Sequence, residues 1–204
     1  MHIITWLTDL NFKSVKAKKL SKWVKDTGCW FLESEQFQQW VDDSAAASCL
    51  WCPGNSGVGK TILATIIINY LQPVEYKDKT LVLSVFCDYQ FVTTQTIANL
   101  LCSLLKQLIQ GNGLSDPMTS LYGWCLHDQI CPLSDTLTKI LSQVLGSFDH
   151  VYIVLDALDK FTGGKPEELV KTIKSLSSNI HLLVTSRDIP KIGLLSKEDA
   201  RLDI

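Results

Sequence analysis

Gly54-Asn55-Ser56-Gly57-Val58-Gly59-Lys60-Thr61 stands between the apolar run Cys49-Leu50-Trp51-Cys52 and the helix-like run Ile62 to Leu71. It fits G-x-x-x-x-G-K-[ST], a phosphate-binding loop, and the strand–loop–helix context gives the pattern its physical basis. The glycines let the backbone turn inward with its N–H groups aimed at one point, an anion nest at a helix N-terminus. The stretch therefore predicts that Gly54, Asn55, Ser56, Gly57, Val58, Gly59, Lys60, Thr61 and Ile62 surround the phosphates of a nucleotide. Lys60 would reach the β- and γ-phosphates, and the Thr61 hydroxyl would ligate Mg²⁺. A glycine turn that leads into a helix by chance is the competing reading.

Composition sets the background. The chain has 204 residues, 46% of them apolar and 20% charged, which is the balance of a globular domain with its own core. A net charge of −2 gives no general attraction to nucleic acid or to an anionic membrane. Lys13, Lys16, Lys18, Lys19, Lys22 and Lys25 form a local basic run, spaced as a solvated helix face. The opening residues lack the basic start and apolar core of a signal peptide, and no run reaches the length of a membrane span. The expectation is a soluble cytoplasmic protein with neither nucleic acid nor membrane as partner. Seven cysteines, an odd number, do not make a disulfide framework. Cys49 and Cys52 match C-x-x-C, but residues three apart on a strand face opposite sides, so the thiols read as core groups. His2, His127, His150 and His181 fall on separate elements and read as structural.

Along the chain, residues 1–45 read as an N-terminal helical segment packing on a core formed by 46–204. Residues 14–26 suggest a short amphipathic helix, ended by Thr27-Gly28, and Ser34 caps a second helix carrying Phe37, Trp40 and Val41. Aromatic residues at that spacing read as core. The alternative folds Thr27 to Leu32 over the base of a bound nucleotide, which makes Thr27 and Gly28 candidate binding residues. Strands are expected at 48–53, 80–87, 151–155 and 181–185, with a fifth beginning at Ala200. Helices are expected at 61–71, ended by Pro73, at 94–110, twice within 114–147 with the second capped at Ser134, and at 166–178. Strands that alternate with helices make an α/β fold: a parallel sheet with helices on both faces. The chain stops in or just after its fifth strand and reads as the front piece of something longer.

A phosphate loop needs a metal holder at a neighbouring strand end. Ile153-Val154-Leu155-Asp156 supplies one, because a carboxylate directly after a buried strand emerges at the carboxyl edge of the sheet, where ligands bind. Asp156 would hold Mg²⁺ together with Thr61. Asp159 can point at the same space and is the candidate for polarising an attacking water. The chain has two arginines, Arg187 and Arg201, and Arg187 follows the fourth strand at the ligand edge, where a planar cation could read a γ-phosphate. The structural alternative pairs Arg187 with an acid.

These residues carry a family resemblance. Trp6 to Leu10, Thr27 to Leu32, Leu50 to Gly54 with the loop, Phe86-Cys87-Asp88-Tyr89, Val151 to Asp159 and Leu182 to Arg187 resemble the NACHT domains of fungal signal-transducing NTPases with numerous domains. That group is related to the N-terminal domain of nephrocystin-3-like proteins and to animal and plant innate immune receptors. The resemblance implies a three-layer P-loop NTPase fold with a five-stranded parallel sheet, order 5-1-4-3-2. It implies ATP or GTP bound with Mg²⁺, slow hydrolysis, and a switch from a closed monomer to a signalling oligomer. In the family pattern a small residue follows the metal-binding Asp and an acid comes two places later, as Ala157 and Asp159 do. Many relatives end that motif Asp-Glu where this chain has Asp159-Lys160, which places turnover in doubt more than binding. The winged-helix segment and sensor repeats that follow such cores are absent from the chain. This fragment is therefore expected to be a monomer, with self-association left to a full-length receptor. The alternative function is a hydrolysis-deficient scaffold or decoy.

Overall fold

The computed structural model describes residues 7–21, 23–24, 27–42, 49–72, 79–113, 134–188 and 199–204. Its apolar runs form one five-stranded sheet: β1 (Cys49–Pro53), β2 (Thr80–Phe86), β3 (His150–Asp156), β4 (Ile180–Ser186) and β5 (Ala200–Arg201). The order is β2-β3-β4-β1-β5, and every described pairing is parallel. This is the order that the family resemblance implies. β1 and β4 are buried along their whole length, as continuous apolar strands covered on both faces must be. β5 is short, but the ladder runs on past it: Leu202 N–H donates to Trp51 O and Ile204 N–H to Pro53 O.

The flanking helices are α1 (Phe12–Leu20), α2 (Cys29–Leu32), α3 (Glu35–Val41), α4 (Lys60–Leu71), α5 (Ile97–Asn112), α6 (Ser134–Leu145) and α7 (Pro166–Lys174). Helix α4 packs against β2, β3 and β4, and α1 lies on α4 and β2. Several boundaries differ from the expectation. Helix α1 starts at Phe12 because the Asn11 side chain accepts the Ser14 N–H, so Asn11 rather than Ser14 is the cap. The segment around Trp30 is a helix, not just an apolar patch, entered through Gly28 at φ 90. Helix α5 starts at Ile97, not Thr94, because Thr96 caps it and the Gln95 side chain is bound to the Phe86 carbonyl and Asp88 N–H. Helix α7 stops at Lys174, where the Ser175 hydroxyl donates to Thr172 O. The helix expected before Cys131, the stop at Pro73, and Trp6, Lys22, Lys25 and His127 lie outside the described residues.

The N-terminal aromatic residues divide by burial. Phe31, Phe37 and Trp40 are at most 1% exposed, whereas Trp30 is 54% exposed. The orphan carbonyls at the end of α3 find partners on the sheet: Tyr152 Oη donates to Val41 O at 3.0 Å, and His181 Nδ1 donates to Trp40 O at 3.0 Å. His181 is thus tied into the packing. The Phe12 ring lies 6.0 Å from that of Phe86, and the buried Lys106 donates to Thr8 O at 2.6 Å. Cys49, Cys52, Cys87 and Cys102 are buried cysteines outside any disulfide, and Cys29 is an exposed one. Among the described residues no helix is long and apolar enough to cross a membrane.

Candidate functional site

The glycine loop leaves β1 beside the end of β4, where Gly54 N–H donates to Ser186 O at 3.0 Å. A Cβ at Gly54 would lie 2.9 Å from Ile204 O, so the close passage of the chain after β5 requires glycine there. Gly59 sits at φ 95 and is the N-cap of α4, a backbone sign that L side chains rarely adopt. The Lys60 ammonium folds back over the loop and donates to Gly54 O at 2.7 Å and Asn55 O at 2.6 Å. Desolvation lowers its pKa, against the opposing pull of Asp159 and Asp156.

Across the loop mouth, Asp156 ends β3 with 2% exposure. Both of its oxygens accept hydroxyl donors: Thr61 Oγ1 to Oδ2 at 2.8 Å and Thr185 Oγ1 to Oδ1 at 2.7 Å. Burial raises the carboxyl above its ordinary pKa, and the two hydroxyls with Lys160 and Lys19 pull it back. The next residue, Ala157, takes the left-handed conformation at φ 56 and donates its N–H to Thr185 Oγ1 at 2.9 Å. A small side chain suits this spot because the residue is both buried and at positive φ.

The turn through Leu158–Lys160 brings Asp159 to the end of β4. Its Oδ1 accepts the Arg187 N–H at 3.0 Å and its Oδ2 lies 3.1 Å from Arg187 Nε. The two residues expected to act separately on water and γ-phosphate are therefore joined, and the acid-pairing alternative for Arg187 describes this state. A cleft of about 330 Å³ lies between loop and turn, lined by Ser56, Gly57, Gly59, Lys60, Thr61 and Ile62 on one side. Ala157, Asp159, Lys160, Arg187 and Lys19 line the other. Asn55 places its carbonyl on Lys60, and Val58 is 44% exposed.

Thr27 and Gly28 are not in this cleft. Gly28 is buried against Leu63 and Ile66, with an added Cβ 3.2 Å from Ile66 Cδ1, so the segment packs on the flank of α4. Sequence reasoning missed Thr185 and Lys19. The signal for Thr185 was its place beside Asp156, next to the Leu155–Val184 pair of the β3–β4 register. Lys19 carried no signal beyond its membership of a basic run.

As a metal site, the pair Thr61 and Asp156 has the donor set of a P-loop Mg²⁺ centre: one hydroxyl and one carboxylate, with phosphate oxygens and water left to complete the shell. Among the described residues no group of three or more His, Cys, Asp or Glu could hold a metal by itself. The residues fit a cation that arrives with a nucleotide.

The chain is similar to the vegetative incompatibility protein HET-E-1 of Podospora anserina, with 29% identity over 182 residues. That alignment takes in 83% of this chain but 13% of the relative. Among solved structures, a chain of Drosophila ORC bound to AT-rich DNA and Cdc6 aligns over 94% of this chain and 57% of its own, at 12% identity and TM-score 0.47. C. elegans PCH-2 aligns over 98% of this chain and 41% of its own, at 12% identity and TM-score 0.38. Scores this low carry no weight for function. The family described as Nephrocystin 3, N-terminal, matches residues 26–187, a span that holds the loop, Asp156, Asp159 and Arg187, and the chain belongs to it.

Proposed function

We propose that this domain binds ATP or GTP with Mg²⁺ and hydrolyses it slowly, as the switch of a STAND-type cytoplasmic receptor. The observation that carries the reading is the 2.8 Å contact of Thr61 Oγ1 with Asp156 Oδ2 at the mouth of the glycine loop. Loop N–H groups and Lys60 would cradle the phosphates, and the Thr61 hydroxyl, its O–H donated to Asp156, would turn a lone pair outward. Bound Mg²⁺ would supply neutralisation of charge across the β- and γ-phosphate oxygens. Residues 1–45 then serve as a helical segment packing on the nucleotide-binding core of 46–204, and the isolated fragment is a monomer.

A second reading, a scaffold that holds nucleotide without turning it over, draws on one observation. Both Asp159 oxygens are engaged by Arg187, and Lys160 follows where relatives carry a second acid. Under the first reading, Arg187 leaves Asp159 for the γ-phosphate and frees the carboxylate for water; under the second, the pair persists. Titration with labelled ATP and GTP analogues, with and without Mg²⁺, beside the Lys60→Ala variant tests the binding that both share. Loss of affinity with Lys60 is expected, and unchanged affinity would refute it. Mg²⁺-dependent phosphate release that tracks Lys60 and Asp156 would exclude the scaffold.

A further inference from the structure

We propose that Lys19, on the N-terminal helix α1, is a ligand for the third phosphate of a nucleoside triphosphate and distinguishes it from a diphosphate. The inference rests on the nucleotide reading above and adds to it a residue that lies before the family match begins at residue 26.

Lys19 lines two adjoining cavities. One is the cleft of about 330 Å³ that also holds Lys60 and Arg187; the other, about 190 Å³, runs beneath α1 to Phe86 and Asp88. Thr61 and Lys160 also line both, so Lys19 stands at their shared wall, on the metal side of the loop. Its charge reaches the buried Asp156 carboxylate. Among the described residues its ammonium makes neither a hydrogen bond nor an ion pair. Three other buried or half-buried lysines are engaged, Lys16 with Gln72 Oε1, Lys106 with Thr8 O and Lys174 with Asp199, whereas the half-buried Lys160 lines the same two cavities as Lys19.

The helix that presents Lys19 is held in place. Phe12 packs on Phe86, Lys16 ties it to the end of α4, and the Thr8 carbonyl just before it is bound by Lys106. A long ammonium on a fixed helix, facing a polar cleft, is an anion ligand waiting for its anion. A diphosphate on the loop is served by the loop N–H groups and Lys60. The wall opposite, with Lys160, Arg187 and Lys19, faces the phosphate that a triphosphate adds. Lys19 would thus link α1 to the presence of that phosphate.

The test compares wild type, Lys19→Gln, Lys19→Arg and Lys60→Ala in binding a non-hydrolysable triphosphate analogue and the matching diphosphate, with Mg²⁺. A charge-assisted hydrogen bond lost to Gln should weaken the triphosphate about tenfold and leave the diphosphate within about twofold. Lys19→Arg should recover part of the difference. The ratio of the two affinities is the readout, since partial loss of folded protein does not change it. An unchanged ratio in Lys19→Gln, beside normal wild-type binding and loss in Lys60→Ala, overturns the role of Lys19 alone. Wild type that binds neither nucleotide, or Lys60→Ala that binds like wild type, overturns the nucleotide reading and Lys19 with it.

Discussion

Asp156→Asn should make the free protein more stable while removing its Mg²⁺-dependent grip on nucleotide. The carboxylate is 2% exposed, and its partners in the free protein are two neutral hydroxyls rather than a paired cation. Desolvation therefore outweighs what the hydroxyls return, and the folded pKa stands above the ordinary value. The sign follows from proton counting. Below the ordinary carboxylate range both folded and unfolded states hold the proton, and ionisation costs nothing. As pH rises through the unfolded value of about 3.9, the unfolded chain ionises first and stability falls. The fall ends once pH passes the raised folded value, and the full cost persists at neutral pH. Asn keeps an acceptor for Thr185 and offers an N–H to the Thr61 oxygen, so neither hydroxyl is stranded. Each unit of upward shift removed returns about 1.4 kcal/mol, so Asp156→Asn should unfold at a higher urea concentration than wild type at pH 7. Urea unfolding of both proteins from pH 4 to pH 8 would measure it, with a second series in saturating nucleotide and Mg²⁺. Wild type should gain from the ligand and Asp156→Asn should not. A variant less stable than wild type at pH 7, with the same pH slope, would refute the reasoning and show that the carboxylate is held ionised at a profit.

Three further outcomes follow from other contacts. Asp159→Asn weakens the link to Arg187, and with that arginine 57% exposed the loss of stability should stay within about 1 kcal/mol. Phosphate release should slow while nucleotide binding survives, and an equal rate would dismiss Asp159 as the water-orienting group. Gly163→Ala places a Cβ 2.0 Å from the Gln95 carbonyl oxygen and 3.0 Å from Thr96 Cα, across the bridge between Thr96 and Gly163. Backbone must move, so the variant should lose at least about 2 kcal/mol in chemical denaturation; wild-type stability would contradict the approach of those two segments. Cys29 is the exposed thiol among those described, whereas burial pushes Cys49 up to about 12 and raises Cys52 well above the ordinary thiol value. At pH 8 the thiolate fraction of Cys49 is on the order of 10⁻⁴, so iodoacetamide followed by mass spectrometry should find Cys29 modified first. Equal labelling of Cys49 in the native protein would show that β1 is open to solvent.

The division between sequence and tertiary structure follows the range of the interactions. The phosphate loop was legible because its requirements are local: positive-φ glycine at the helix start, an ammonium one residue on, and a hydroxyl after that. Asp156 was legible because a buried strand ends at a known edge of the sheet, and the burial of Phe37 and Trp40 because their spacing puts them on one helix face. The cap at Asn11 and the late start of α5 were harder, since each depends on which of two nearby polar side chains wins a backbone N–H. The partners of the acids could not be read at all. Thr185 lies 29 positions from Asp156 and Arg187 lies 28 from Asp159, and it is the β3–β4 register that sets them opposite each other. The packing of Gly28 on α4 and the arrival of Lys19 at the cleft likewise required the N-terminal helices to be docked on the sheet. Sequence alone determined which chemical groups the chain brings to the mouth of the glycine loop, because loop and strand-end motifs encode their own geometry. Tertiary structure alone decided which charge faces which, because those distances are set by strand register and helix docking, and neither leaves a local pattern in the chain.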